Sequence, residues 1–347
     1  MNTLKVTGSP AEQGQQHGEH FRDKILELCA LRRELFYGYF DNKDGSIINP
    51  ILMKHIKTLK NYPEYYLEFK GISQAANVSE TDLLILNAYT DLRDFADSKL
   101  PLDDGGCSTF SVANKHSSIC GQSWDMHASA EPYLFHLSSE GEVNKEILTL
   151  TGCLAMAGVN QFGVSILVNN LFCTDVSFGL AWPSVVRGLL DQKNALESYQ
   201  FLTKNIPSSG HNYLICGPIQ SMSVETTGNK TEVVSNYQTE GNIFHTNHYL
   251  SELSEHENKN RMNQSTFPRY DKLSQFFSQL SEEPLDIESL GNCLFSTDGE
   301  SSVFVNKTKE PNSPMTCGGI LVDIKNRTGV SFVNSFSLGD HHRFSWK

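Results

Sequence analysis

The spacing of the apolar residues changes once along this chain, and it changes at Cys107. Before that point the period is helical. Ser9-Pro10-Ala11-Glu12 has the makings of a helix start: a hydroxyl cap, a proline in the first turn and a glutamate placed to bond back to the cap. Ile25, Leu28, Leu31 and Leu35 recur at intervals of three and four, which sets them on one face. Further helices are predicted at Pro50 to Leu59, Pro63 to Ala75 and Glu80 to Leu92. Gly14 and Gly18 fall one turn apart in the first helix, where glycine costs about 1 kcal/mol; close packing against a neighbour would offset that cost.

After Cys107, short segments rich in Val, Ile, Phe and Thr are separated by Gly, Asn and Ser, the pattern of strands and turns. Strands are expected at Ser108 to Ala113, Ile119 to Trp124, Tyr133 to Leu137, Glu146 to Thr151, Gly163 to Val168, His211 to Cys216, Gly319 to Ile324 and Gly329 to Phe336. Helices return at Pro183 to Gln192, Ala195 to Asn205 and Tyr270 to Leu280. Residues 251–266 (SELSEHENKNRMNQST) are polar with little periodicity and read as a surface loop or insertion. Helices flanking strands at both ends predict an α+β fold with helices packed on sheets.

Charge narrows the partners. Lys and Arg number 28 against 40 Asp and Glu, a net charge of -12, which repels phosphate backbones and anionic bilayers. Neither nucleic acid nor a membrane is an expected partner. No basic stretch leads into a long apolar run at the start, and nowhere do eighteen apolar residues follow one another; a cytoplasmic protein is expected. The eight cysteines include no CxxC pair, which argues against zinc and against a disulfide framework.

The boundary itself reads DDGGCSTF, Asp103 to Phe110. One reading is a tight turn feeding a strand with a buried thiol, since Asp-Asp-Gly-Gly is turn chemistry and cysteine is often interior. The other is self-cleavage. If the Gly106-Cys107 bond is cut, Cys107 carries a thiol and an α-amine in one residue, and the amine, with a reference pKa of about 7.7–8.0, is a base near neutral pH. The thiol would first attack the Gly106 carbonyl, and glycines at 105 and 106 let the backbone bend to it.

Motifs along the chain bear on that choice: TGSPAEQGQQHG at Thr7 to Gly18, YPEYYLEFKGISQAANVSETDLLILNAY at Tyr62 to Tyr89, GGCSTF, GQSWDMH at Gly121 to His127, GVNQFGVSILVNN at Gly158 to Asn170, WPSVVRGLL at Trp182 to Leu190 and HTNHYL at His245 to Leu250. In order and spacing they resemble the isopenicillin N acyltransferase-like (acyl-coenzyme A:6-aminopenicillanic acid acyltransferase) family of N-terminal nucleophile hydrolases. The resemblance implies a four-layer αββα sandwich, made as a precursor and split into an α chain (1–106) and a β chain (107–347) that stay associated. It implies Cys107 as nucleophile and Gly106-Cys107 as the processed bond, Asp125 orienting the new amino terminus, Asn247 donating to the oxyanion, and Thr109 in a supporting position. Two places depart from the better studied acyltransferase of that family: Gly105 stands where it has an aspartate before Gly-Cys, and MTCGGILVD lacks its late arginine.

The expected chemistry is hydrolysis of a small linear amide through an acyl-Cys107 thioester, with no metal or redox cofactor. A coenzyme A-dependent N-acyltransferase and a catalytically silent binding protein on the same fold are the alternatives. Partners would be a small amide or acyl donor and the two chains of one precursor, with homo-oligomers left open. His245 and His248 lack an HExxH frame, so packed histidines are expected rather than a zinc pair. Trp124 and Trp182 suit either an acyl pocket or the core. His341 and His342 read as a solvated tail.

Overall fold

The first helix starts as its sequence predicts. Ser9 accepts the Glu12 N–H while Glu12 Oε2 accepts the Ser9 N–H, closing a capping box with Pro10 in the first turn. The computed structural model describes residues 1–38, 40, 46, 48–96, 106–305 and 310–347. Strand β1 (Asn2–Thr7) precedes helices α1 (Pro10–His20), α2 (Arg22–Gly38), α3 (Ile48–Leu59), α4 (Pro63–Ala76), α5 (Glu80–Asn87) and α6 (Tyr89–Asp94). Strands β2 (Ser108–Ala113), β3 (Ser118–His127), β4 (Leu134–Glu140), β5 (Lys145–Leu150), β6 (Ala157–Asn160) and β7 (Ser165–Asn170) follow. Next come α7 (Trp182–Leu189), α8 (Ala195–Lys204), β8 (His211–Cys216), β9 (Gln220–Thr226), β10 (Thr231–Gln238) and β11 (Gly241–His245). The chain closes with α9 (Thr266–Ser278), α10 (Ile287–Phe295), β12 (Pro314–Asp323), β13 (Thr328–Val333) and β14 (His341–Ser345).

The strands form two sheets. Eight run in the order β1-β4-β5-β6-β7-β8-β9-β10, six in the order β11-β2-β3-β12-β13-β14. The β1–β4 pair is parallel; the other pairs are antiparallel. The sheets face each other, since Thr109 and Ser111 of β2 bond across to Asn169 of β7 and Ser221 of β9. On the far face of the smaller sheet, Phe110, Val112, Ile119 and Phe332 pack under Leu273 and Phe277 of α9 and Leu290 and Leu294 of α10. The opposite helical layer covers the larger sheet: Ile25, Leu28, Phe69, Leu83 and Val186 share one buried cluster with Phe135 and Ile147. The order helix, sheet, sheet, helix is the αββα sandwich expected, an α+β fold.

Close packing explains the helical glycines. A Cβ on Gly14 or Gly18 would strike the backbone of Glu68 or Ile72, so α1 and α4 cross with their main chains nearly touching. Arg187 of α7 ties the same layer together: its Nε donates to Glu68 at 2.9 Å, and its Nη2 donates to Gln13 and Ser139 at 3.1 Å. Removing one partner of a buried pair like this typically costs about 3–5 kcal/mol.

Four readings of the sequence need correction. The first hundred residues are not all helical, because β1 forms the edge of the larger sheet; its partner β4 lies far along the chain (Asn2 pairs with Phe135) and only Val6 is buried, so no local signal marks it. Glu80 to Leu92 is two helices broken at Ala88, whose φ of -105° and ψ of 22° leave the helical region. The 251–266 segment is not simply a surface loop. Leu253 is buried, and buried Arg261 donates to the Arg93 and Ala96 carbonyls at 3.0 and 2.7 Å. His341 and His342 belong to β14 rather than a solvated tail, and His341 Nε2 donates to the Phe336 carbonyl at 2.7 Å.

Candidate active site

Strand register brings the expected residues together. The β11–β2 ladder pairs His245 with Thr109; continued one pleat further, it sets Asn247 beside Cys107. The β2–β3 ladder pairs Ser108 with Ser123, so Cys107 falls next to Trp124 and Asp125, while β12 places Thr316 opposite Asp125. Gly106, Cys107, Asp125 and Asn247 line one cavity of about 40 Å³. Asp103, Asp104 and Gly105 lie outside the described residues.

Every backbone polar atom of Cys107 is held. Its N–H donates to Asn247 Oδ1 at 2.8 Å, and its carbonyl accepts from Asn169 Nδ2 at 2.9 Å and Arg269 Nη1 at 2.8 Å. Arg269 also donates through Nη2 to Asn247 Oδ1 and through Nη1 to Ser108 Oγ. Its guanidinium therefore bridges the cysteine and the asparagine. Asn247 turns its own Nδ2 to the Asn170 carbonyl at 2.9 Å, so in the uncut chain its acceptor faces Cys107 and its donor is engaged elsewhere. Thr109 reaches the cysteine through Asn169, whose Oδ1 accepts from Thr109 Oγ1 at 2.7 Å. The clamp also accounts for glycine at 106: a Cβ there would lie 2.5 Å from Asn247 Oδ1 and closer still to Arg269 Nη2.

Burial governs the charges. The Asp125 carboxyl is pushed up to about 6, first by burial; the Arg269 charge and the nearby Thr316 and Ser123 hydroxyls pull the other way. Thr316 Oγ1 donates to its Oδ1 at 2.7 Å, whereas Oδ2 has no partner among the described residues. The Cys107 thiol is pushed up to about 12, again by burial and then by the Asp125 charge, opposed by the Asp125 N–H, Arg269 and Gln122. Within the uncut chain the thiol is neutral at physiological pH.

Arg269, Asn169 and Gln122 received no role from the sequence. Arg269 had a legible signal: Thr266, Arg269, Leu273 and Phe277 are the buried stripe of α9, so one cation interrupts an otherwise uncharged helical face. Its guanidinium comes from α9; the MTCGGILVD segment holds no arginine. Trp124 and Trp182 both line the cavity. His245 and His248 are packed: His245 bonds Glu225 at 2.8 Å and His248 bonds Thr266 at 2.9 Å. No metal-binding cluster of His, Cys, Asp or Glu occurs among the described residues, and no described helix is long and apolar enough to cross a membrane.

Cys107 thus heads a strand of the inner sheets of an αββα sandwich and lines its cavity. This chain belongs to the acyl-coenzyme A:6-aminopenicillanic acid acyl-transferase family, whose sequence model matches residues 112–313. It is 25% identical over 257 residues to the 40 kDa form of acyl-coenzyme A:6-aminopenicillanic-acid-acyltransferase from Emericella nidulans, covering 71% of this chain and 70% of that protein. Among solved structures, penicillin V acylase from Agrobacterium tumefaciens matches with a TM-score of 0.42 at 12% identity, over 69% of this chain and 86% of its own. A conjugated bile acid hydrolase from Clostridium perfringens matches with a TM-score of 0.43 at 10% identity, over 68% and 92%.

Proposed function

We propose that this protein is a self-processing cysteine amidohydrolase that cleaves a small linear amide through an acyl-Cys107 thioester. In processing, Cys107 Sγ attacks the Gly106 carbonyl carbon, the Gly106–Cys107 C–N bond breaks, and the thiol proton passes to the departing nitrogen. Water then cleaves the thioester, leaving a Gly106 carboxylate and a free Cys107 α-amine. In turnover that amine takes the thiol proton as Sγ attacks the substrate carbonyl, protonates the leaving amine, and activates the water that releases the acid. Asn247 Oδ1 and Arg269 hold the cysteine backbone through both stages. Asn247 Nδ2, once it leaves the Asn170 carbonyl, donates to the tetrahedral oxyanion. The Arg269 cation favours the neutral amine and Asp125 favours the ammonium, so the two set the base strength between them.

The single observation that supports this reading most is the clamp on Cys107 N, which fixes in place the atom that cleavage would turn into the base. Coenzyme A-dependent acyl transfer is the second reading, favoured by the acyltransferase relative at 25% identity; it differs only in the donor and in an amine replacing water. The test is intact mass under denaturing conditions, beside the Cys107→Ala variant. Two fragments summing to the precursor plus one water, with the larger beginning at Cys107 and only in the parent, are expected. Cleavage persisting in the variant, or an uncut parent whose thiol ignores an electrophilic amide, would leave a plain turn before a buried thiol. Product analysis with and without an acyl-coenzyme A donor separates the two reactions.

A further inference from the structure

The cavity beside Cys107 continues past the nucleophile. β6 pairs with β7 only through Gly158 with Ile166 and Val159 with Ser165, so the later part of β7 has an open edge on that side. The Gln122 side chain reaches over from the other sheet and satisfies that edge, accepting the Val168 N–H at 2.9 Å and donating to the Val168 carbonyl at 2.8 Å. The lining of the cavity also includes Thr90 of α6, Trp182 of α7 and His211 at the start of β8, beside the helical layer of the larger sheet.

This end is polar and unsatisfied. Thr90 is 6% exposed and His211 1%, yet among the described residues neither Thr90 Oγ1 nor either ring nitrogen of His211 has a hydrogen-bond partner of good geometry. The Trp182 ring stacks on His211 with centroids 5.9 Å apart, fixing the imidazole plane. Burial and then the Arg93 guanidinium push His211 down to about 3, against a weaker opposing pull from the Ser209 backbone, so the ring is neutral, with one nitrogen a donor and the other an acceptor. Unpaired polar groups at this depth are costly, and a ligand that pairs with them accounts for their placement.

We infer that the Thr90–His211 end of the cavity selects an acyl group that terminates in a neutral group able both to donate and to accept a hydrogen bond, such as a hydroxyl. The inference rests on the acyl-Cys107 reading and adds its substrate class. The experiment compares two amides of one fluorogenic amine, 3-hydroxypropanoyl and butanoyl, which differ by a hydroxyl in place of a methyl. With the processed enzyme, kcat/KM is expected to favour the hydroxyl amide by about tenfold or more, because the apolar analogue leaves buried polar groups unpaired. In His211→Phe and in Thr90→Val the ratio should fall toward one. A parent ratio of one or below, or a ratio unchanged in both variants, overturns the inference. If the chain processes itself and acylates with neither amide, the inference falls while the nucleophile stands; failure to process at all would sink the underlying reading.

Discussion

The buried Asp125 carboxyl gives the sharpest quantitative prediction. Its ordinary value near 3.8 is raised to about 6, a shift of about two units, and each unit corresponds to about 1.4 kcal/mol. The folded chain therefore binds this proton more tightly than the unfolded chain does. Stability from this group is present below about pH 4 and is lost as pH rises toward 6, after which it stays lost. Asparagine has nearly the same shape, keeps an acceptor for Thr316 Oγ1 and does not titrate. In a Cys107→Ala background, which keeps both proteins uncut, Asp125→Asn should match its parent near pH 4 and exceed it above pH 7 by up to about 3 kcal/mol. Urea unfolding at half-unit pH steps measures this, with equal m values confirming a common unfolding reaction. Stability curves that run parallel from pH 4 to 8, or a variant less stable at pH 7.5, would refute the claim that the carboxylate is held uncompensated.

Three further outcomes follow from the clamp. Gly106→Ala places a methyl against Arg269 and Asn247, an overpacking of about 1–3 kcal/mol, so a time course of fragment formation should lag far behind the parent; equal rates would remove the close approach from the processing step. Asn247→Ala should lower kcat by about 10²–10³ with circular dichroism unchanged, and an unaffected kcat/KM would take Asn247 out of the site. In the processed enzyme, Arg269→Met removes a cation from beside the amine and should move the acid limb of the kcat/KM profile to higher pH, whereas Asp125→Asn should move it lower. Shifts in the same direction in both variants would refute the opposed roles.

Much of this architecture was legible in the residues because the signals were local. The capping box at Ser9, the three-and-four spacing from Ile25 and the alternation after Ser108 each lie within one element, and each element formed where expected. β1 was illegible because its pairing is remote and parallel, and a six-residue strand with one buried side chain has no period to read. Within the site, Cys107, Asp125 and Asn247 stood in recognisable motifs, and register alone then draws them to one cavity. Arg269 belongs to no such motif; a charged residue on a buried helical stripe is a signal, yet nothing in sequence says that the stripe faces the cysteine. Thr90 and His211 carry no mark at all, since an unpaired polar group is a property of space rather than of spacing.

Both sides of the Gly106–Cys107 bond contribute to one buried cluster, Ile25, Leu28 and Phe69 from before it and Leu137, Ile147 and Leu167 from after. Cutting that bond changes the molecularity of folding. The uncut chain refolds as a first-order process, but a cut molecule is a non-covalent heterodimer whose refolding rate depends on the product of two fragment concentrations. Its melting temperature should accordingly rise with protein concentration, while that of a Cys107→Ala chain should not. Dilution after melting would then leave refolding of an uncut chain unchanged and slow that of a cut one, so a chain that folds before it is cut reaches the assembled site without a bimolecular step.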